Sequence, residues 1–126
     1  MISINVPLYG AVVFVSISDN PLAERATMND VFGPGPVVAE RVLGGLCSSS
    51  EDGRFGLFLS SNDLDHDTVA HELFHLTVQI AACYDIKIDT HNHEAVAYLH
   101  GWLASEVYKA IACFKSCDEA AKGSTD

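Results

Sequence analysis

Two runs of apolar residues stand out in the first half of the chain. Residues 8–18 (LYGAVVFVSIS) are rich in Val, Ile and Phe, and their nearly continuous apolar centre predicts a strand covered on both faces for part of its length. Residues 54–60 (RFGLFLS) alternate between the two faces of a strand and predict a second one. Pro21 ends the first run, and residues 21–28 are compatible with a short helix capped by Asn20.

Turn-forming residues occupy the stretch between these strands. Residues 33–36 (GPGP) predict a loop that does not bind phosphate, because no Gly-Lys-Ser/Thr follows and the prolines lack backbone N–H donors. Residues 37–43 are compatible with a short strand or a helical turn. Residues 44–53, which contain the run SSSEDG, predict a loop.

The second half of the chain has apolar residues at helical spacing. A first long helix is predicted over residues 67–84, with Asp65 or Asp67 as its cap, and a second over residues 92–117. The small polar residues from Asp118 onward predict a frayed end. The apolar stripes consist of Val69, Leu73, Leu76 and Ile80 in the first helix and of Val96, Leu99, Leu103, Val107 and Ile111 in the second.

These elements predict a single α+β domain that spans residues 1–126. In it, a small and mostly antiparallel sheet packs against two long C-terminal helices, with one short helix before them. A length of 126 residues suits one hydrophobic core, and 48% apolar with 19% charged residues is typical of globular proteins.

The net charge and the short apolar segments argue against nucleic acids and membranes as partners. The formal net charge of −10 repels phosphate backbones, so we expect no nucleic-acid binding, although an acidic protein can occupy a basic site on a partner. The N-terminus has no secretory signal pattern, and the longest apolar stretch, residues 11–15, is too short to cross a membrane. We therefore expect a cytoplasmic protein without a membrane partner.

Four cysteines are spread too widely to predict a disulfide framework. Cys47, Cys83, Cys113 and Cys117 are expected to be reduced thiols. The last two, four residues apart, could form half of a metal site, but no second cysteine pair completes it. We expect buried or helix-surface thiols instead.

The sequence His71-Glu72-Leu73-Phe74-His75 lies inside the first long helix. Because His71 and His75 are four residues apart, one helix turn places both imidazoles on the same face, where they can bind one Zn²⁺. Glu72 then lies beside the metal and can take a proton from a bound water molecule. The motif therefore predicts a zinc site of the catalytic type.

A catalytic zinc needs a third protein ligand and an open position for water. The extended pattern with Gly and then His after the second histidine is absent, since Val78 and Ala81 stand at those positions. Glu94 on the next helix, 19 residues after His75, is the predicted third ligand. Two antiparallel helices with a short connection can bring these positions together.

Two further histidines leave the third ligand open. His91 and His93 lie close to Glu94 in the sequence, and either could replace it or bind a second ion. On a helix, His93 would point about 100° away from Glu94. We therefore favour Glu94.

The residues in and around this motif resemble those of a known family. HELFH followed by residues 94–102 (EAVAYLHGW) resembles small tailed-phage proteins described as zinc metallopeptidases. The matching pieces also include residues 6–18 (VPLYGAVVFVSIS) and 54–63 (RFGLFLSSND). The resemblance covers most of the chain and is sharp over residues 68–102.

More distantly, the layout is similar to that of the gluzincins, which include the thermolysin-like peptidases. This resemblance implies that His71, His75 and Glu94 are zinc ligands and that Glu72 is the general base and acid. It also implies an edge strand, here residues 55–60, that could pair with an extended peptide.

The larger peptidases have a second lobe whose His or Tyr stabilises the oxyanion, and this chain has no room for such a lobe. Tyr98 and His100 lie near Glu94 in the sequence. Either could orient a ligand or polarise a carbonyl group. Zinc binding is therefore better supported than proteolysis.

Three functions are compatible with this pattern. The leading hypothesis is zinc-dependent hydrolysis of a peptide or related amide bond by a phage-encoded protein in the host cytoplasm. The alternative is a non-enzymatic phage accessory protein that binds a host or virion protein through its acidic surface and keeps zinc as a structural ion. In that case a fourth ligand such as His91 or His93 would close the site. The third is a degenerate peptidase without turnover.

Simpler roles remain for several residues. An HExxH sequence can occur by chance on a solvated helix face, with Glu72 in a local ion pair. Tyr98 and Trp102 are expected to pack in the core or between helices. Gly101 is expected to permit close helix approach, and His66 to be a solvated turn residue.

Overall fold

The computed structural model describes residues 1–7, 9–33, 45–50 and 52–123, with side chains up to residue 119. Within these ranges the strands are β1 (Ile2–Val6), β2 (Ala11–Ser18), β3 (Gly45–Ser49) and β4 (Arg54–Ser60). The helices are α1 (Pro21–Thr27), α2 (Asn29–Phe32), α3 (His66–Cys83) and α4 (Glu94–Gly123). None of the described helices is long and apolar enough to cross a membrane.

The strands form one mixed sheet in the order β1-β2-β4-β3. The β1–β2 and β3–β4 pairs are antiparallel, whereas β2 and β4 run parallel. The helices α3 and α4 cover one face of the sheet, and the short helices α1 and α2 cover the other. The predicted α+β class with a mostly antiparallel sheet is confirmed.

Strand β4 is interior, so the prediction that residues 55–60 form a sheet edge is wrong. Phe55, Leu57 and Leu59 point into the core under α3 and α4. Phe58 points the other way and packs against Phe32 of α2. Because both faces of β4 are apolar, helices cover both of them. The edges of the sheet are instead β1 and β3.

Strand β3 replaces the loop predicted over residues 44–53. Its serines are weak strand formers, but the strand pairs with β4 along its length, with Cys47 opposite Leu57. Leu46 and Ser48 are buried on the side of α1, where the Arg25 side chain donates a hydrogen bond to Ser48. Long-range pairing therefore overrides the local preference. The prediction for residues 37–43 lies outside the described residues.

Helix α1 starts where the sequence predicts it, whereas the first predicted strand differs at its start. The side chain of Asn20 caps α1, accepting a hydrogen bond from the N–H of Ala23 at 3.1 Å. The first predicted strand begins later, at Ala11, and pairs with β1, which the apolar pattern did not predict.

Helices α3 and α4 lie antiparallel on the sheet. Asp65 caps α3 by accepting a hydrogen bond from Thr68 N–H. Near that end, His66 Nδ1 lies 3.0 Å from the hydroxyl of Tyr108 in α4. Helix α4 begins at Glu94, two residues later than predicted, and continues to Gly123, so the helix end predicted at residue 117 is wrong.

Candidate metal centre

The HELFH sequence lies in the middle of α3 and has two distinct faces. Leu73 is buried against the sheet, as helical periodicity requires. His71 and His75 point to solvent from the opposite side, with their ring centroids 4.8 Å apart. The structure therefore places both predicted histidine ligands on one accessible surface.

The spacing of the two imidazoles fits a shared metal ion. Nε2 of His71 and Nε2 of His75 lie 3.2 Å apart. Two nitrogens bound at about 2.0–2.1 Å to one tetrahedral zinc ion are separated by about 3.3–3.4 Å. Without an ion, one imidazole N–H can donate to the other ring. The distance between the two Nε2 atoms is thus compatible with a shared zinc ion.

Glu72 is buried next to this pair. Its side chain is 8% exposed, whereas that of His71 is 61% exposed, and Oε1 lies 3.8 Å from Nε2 of His71. Burial raises the pKa of Glu72 above its ordinary value, and the neighbouring His71 and His75 partly offset this rise. A carboxylate with a raised pKa is a stronger base, which suits the predicted role.

The edge strand β3 forms the other wall around Glu72. The Sγ atom of Cys47 lies 3.1 Å from the backbone oxygen of Glu72 and 3.9 Å from its Oε2. Gly45, two residues earlier, faces the same side, and a Cβ there would lie 3.0 Å from Cγ of Glu72. Sequence analysis missed both residues, because their segment predicted a loop and only the strand pairing brings them to α3.

The third predicted ligand is not brought to the histidine pair. Among the described residues, no three His, Cys, Asp or Glu side chains are grouped so as to hold a metal ion. Glu94 is exposed on the first turn of α4.

The antiparallel packing explains this separation. His100 of α4 lies opposite Thr77 of α3, with Nδ1 2.7 Å from Oγ1. Glu94 precedes His100 by six residues, which corresponds to about 9 Å along a helix. That displacement runs toward the C-terminal end of α3 and therefore away from His71. The ligand role of Glu94 stays a prediction.

The alternative ligands are exposed as well. His91 and His93 lie in the connection between the helices, where His91 Nδ1 contacts the hydroxyl of Thr90 at 3.1 Å. Cys113 and Cys117 are free and exposed on α4. A fourth ligand that closes the site stays a prediction.

The two candidates for oxyanion stabilisation differ in position. Tyr98 is 75% exposed, so the prediction that it packs in the core or between helices is wrong. His100 faces α3, where its ring meets the exposed ring of Phe74 at 6.2 Å. Trp102 is half-buried against the core, whereas Gly101 faces open space and permits no close approach.

The hydrogen bonds of Thr77 favour one tautomer of His100. The Thr77 hydroxyl has a single proton, and when it donates this proton to the backbone oxygen of Leu73 at 3.0 Å it accepts from Nδ1 of His100 at 2.7 Å. Neutral His100 therefore carries its proton on Nδ1 and presents Nε2 as an acceptor. In this form it cannot donate to an oxyanion through Nε2.

Comparisons with models of protein families, with curated proteins and with solved structures found no match for this chain.

Proposed function

We propose that this chain is a zinc-dependent hydrolase of peptide or related amide bonds. His71 and His75 would hold the ion and Glu72 would be the general base, while Glu94 would have to move to the pair with α4 to be the third ligand. The observation that carries the proposal is the pair of Nε2 atoms 3.2 Å apart with a buried carboxylate beside them. The distance is close to that between two nitrogens on one zinc ion, and a buried carboxylate suits proton transfer in hydrolysis, which supports the proposal.

Bound zinc would polarise the substrate carbonyl and lower the pKa of a bound water molecule. Glu72 supplies the proton transfer. Its carboxylate would accept the proton of the water and then pass it to the leaving amine. Because burial raises its pKa, Glu72 accepts a proton more readily than a solvated glutamate does.

The substrate would bind along β3. No described strand pairs with the outer edge of β3, and Cys47 of this strand contacts Glu72. An extended peptide can add to such an edge through backbone hydrogen bonds, which would bring one of its amide bonds to the histidine pair. This role replaces the one predicted for residues 55–60.

The resemblance over residues 68–102 to tailed-phage zinc metallopeptidases supports the same proposal. A phage-encoded protein acting in the host cytoplasm is part of it.

The test combines metal analysis with cleavage of an unbiased peptide library. The wild-type protein should bind one zinc ion and cleave peptides only when loaded. Glu72→Gln should keep the zinc and lose hydrolysis by about 10²- to 10⁴-fold, because the proton acceptor is gone. The control is Glu106→Gln, which alters a glutamate that pairs with Lys109 on α4. Full activity of Glu72→Gln would contradict the mechanism.

A second candidate is a non-enzymatic zinc protein that binds a host or virion protein. The net charge of −10 favours it, because an acidic surface can occupy a basic site on a partner. A zinc-loaded crystal structure separates the two functions. Three protein ligands and a water molecule support hydrolysis, whereas four protein ligands support the structural role. An open site that cleaves no library peptide would indicate a degenerate peptidase.

A further inference from the structure

The thiol of Cys47 lies within reach of two acceptors that belong to one residue. Its Sγ atom is 3.1 Å from the backbone oxygen of Glu72 and 3.9 Å from Oε2 of the same residue. We propose that Cys47 is a positioning residue for Glu72, which holds Oε2 of the carboxylate and keeps Oε1 on the side of the histidines. This inference rests on the proposed function of Glu72 as a general base.

The two carboxylate oxygens have different neighbours, and this difference defines an orientation. Oε2 faces the Cys47 thiol on β3, while Oε1 lies 3.8 Å from Nε2 of His71. A proton acceptor must point at the water it activates, and a small misplacement of a catalytic group lowers its rate strongly. A contact on Oε2 leaves Oε1 free for that water.

A glycine in β3 lets this strand lie close to Glu72. Gly45 and Cys47 are two residues apart, so both face α3. A Cβ at Gly45 would lie 3.0 Å from Cγ of Glu72 and 2.7 Å from the backbone oxygen of Phe58. The absence of a side chain at Gly45 therefore lets the strand approach the methylene groups of Glu72 closely.

Other roles for Cys47 fit less well. Burial and the nearby Glu72 charge raise the pKa of the Cys47 thiol, so it stays protonated at neutral pH. A protonated thiol is a poor nucleophile, but it is a hydrogen-bond donor. The three other cysteines, Cys83, Cys113 and Cys117, are exposed and provide matched controls.

Infrared spectroscopy tests the contact without any substrate. In the full chain with Cys83→Ser, Cys113→Ser and Cys117→Ser, the S–H stretching band comes from Cys47 alone. Adding Glu72→Gln should move this band to higher frequency, because a neutral amide is a weaker acceptor than a carboxylate. An unmoved band would mean that the thiol donates only to the backbone oxygen, and the inference would be wrong.

Kinetics test the positioning role. Cys47→Ala and Cys47→Val should both lower kcat by about tenfold, with KM within about twofold, because the donor is lost. Cys47→Ser should recover most of the rate, and Cys83→Ala should change nothing. Since Val fills the space of the thiol, a loss confined to Cys47→Ala would indicate packing and overturn the inference.

The two proposals fail differently. A wild-type protein that neither binds zinc nor cleaves peptides would refute the proposed function, while a shifted S–H band would still establish the Cys47–Glu72 contact. An active enzyme whose Cys47 variants keep full kcat would refute the positioning role alone.

Discussion

The two halves of the predicted zinc site are built very differently. His71, Glu72 and His75 come from little more than one turn of α3, with Nε2 of His71 3.2 Å from Nε2 of His75 and 3.8 Å from Oε1 of Glu72. Glu94 is exposed on the first turn of α4 and belongs to no ligand group among the described residues. One half is therefore assembled within α3, and the other is not.

The difference follows from what fixes each position. Helical periodicity alone sets the spacing of residues four apart, so the histidine pair forms wherever α3 forms. The position of Glu94 depends on how α3 and α4 slide past one another, which contacts such as Thr77–His100 determine. A shift of one helix turn, about 5.4 Å, would move Glu94 substantially without disturbing the pair.

The largest effect that this comparison predicts is on zinc affinity, which titrations of ligand variants measure. His75→Ala should weaken zinc binding by more than about 100-fold, beyond the 10- to 100-fold cost of losing an outer-shell contact. Glu94→Ala should weaken it by about tenfold or more, because the proposed function makes Glu94 the third ligand. Competition with a chromophoric chelator measures both. An unchanged affinity in Glu94→Ala would remove Glu94 from the ligand set.

The two faces of the motif helix should differ in their effect on stability. Leu76 is fully buried, so Leu76→Ala should lower the free energy of unfolding by about 2–5 kcal/mol. Phe74 in the same helix is 58% exposed, and Phe74→Ala should change it by less than about 0.5 kcal/mol. Urea denaturation measures both. Equal losses would mean that Phe74 is covered in solution.

A substitution at Thr77 tests the contact between Thr77 and His100, which helps to position α4 against α3. Thr77→Val keeps the shape of the side chain but removes the acceptor for His100, and it should cost about 1 kcal/mol of stability. Imidazole ¹H–¹⁵N correlation spectra should show that His100 no longer prefers the Nδ1–H tautomer. The control is Thr90→Val, which alters an exposed threonine beside His91. An unchanged His100 tautomer would contradict the assignment.

The smallest effect concerns the pH dependence of stability in the metal-free protein. Burial raises the pKa of Glu72 in the folded state, so its contribution to stability is full below the ordinary carboxyl pKa and is lost as pH rises through the folded-state pKa. Glu72→Gln, which does not titrate, should therefore unfold at a higher temperature than wild type at about pH 7.

Thermal unfolding at several pH values checks this sign. The advantage of Glu72→Gln should shrink toward about pH 4, where the wild-type carboxyl is protonated in both states. The other acidic residues titrate equally in both proteins, so their effects cancel in the difference. An advantage that grows on acidification would show that the folded state favours the ionised carboxylate.

Local patterns predicted the parts of the molecule that depend on local structure. The periodicity of α3, its Asp65 cap and the strand at residues 54–60 follow from propensity and spacing, and all are confirmed. The geometry of the histidine pair follows from the same periodicity.

Long-range pairing explains the errors. The serine-rich segment forms β3 because it pairs with β4. Owing to this pairing, residues 45–49 form the sheet edge that was predicted for residues 55–60. The Cys47 contact with Glu72 depends on that strand register and on the packing of α3 against the sheet. No short-range signal in the sequence specifies either.

The parallel pairing of β2 with β4 has a consequence for folding kinetics. It joins Val12 to Arg54 and Ser18 to Ser60, so about a third of the chain must be looped out before the centre of the sheet can close. Contacts of such high sequence separation form slowly, whereas a helix such as α3 forms quickly. We expect the two histidines to acquire their spacing early, and Glu72 to acquire its buried environment only after β3 and β4 are in place.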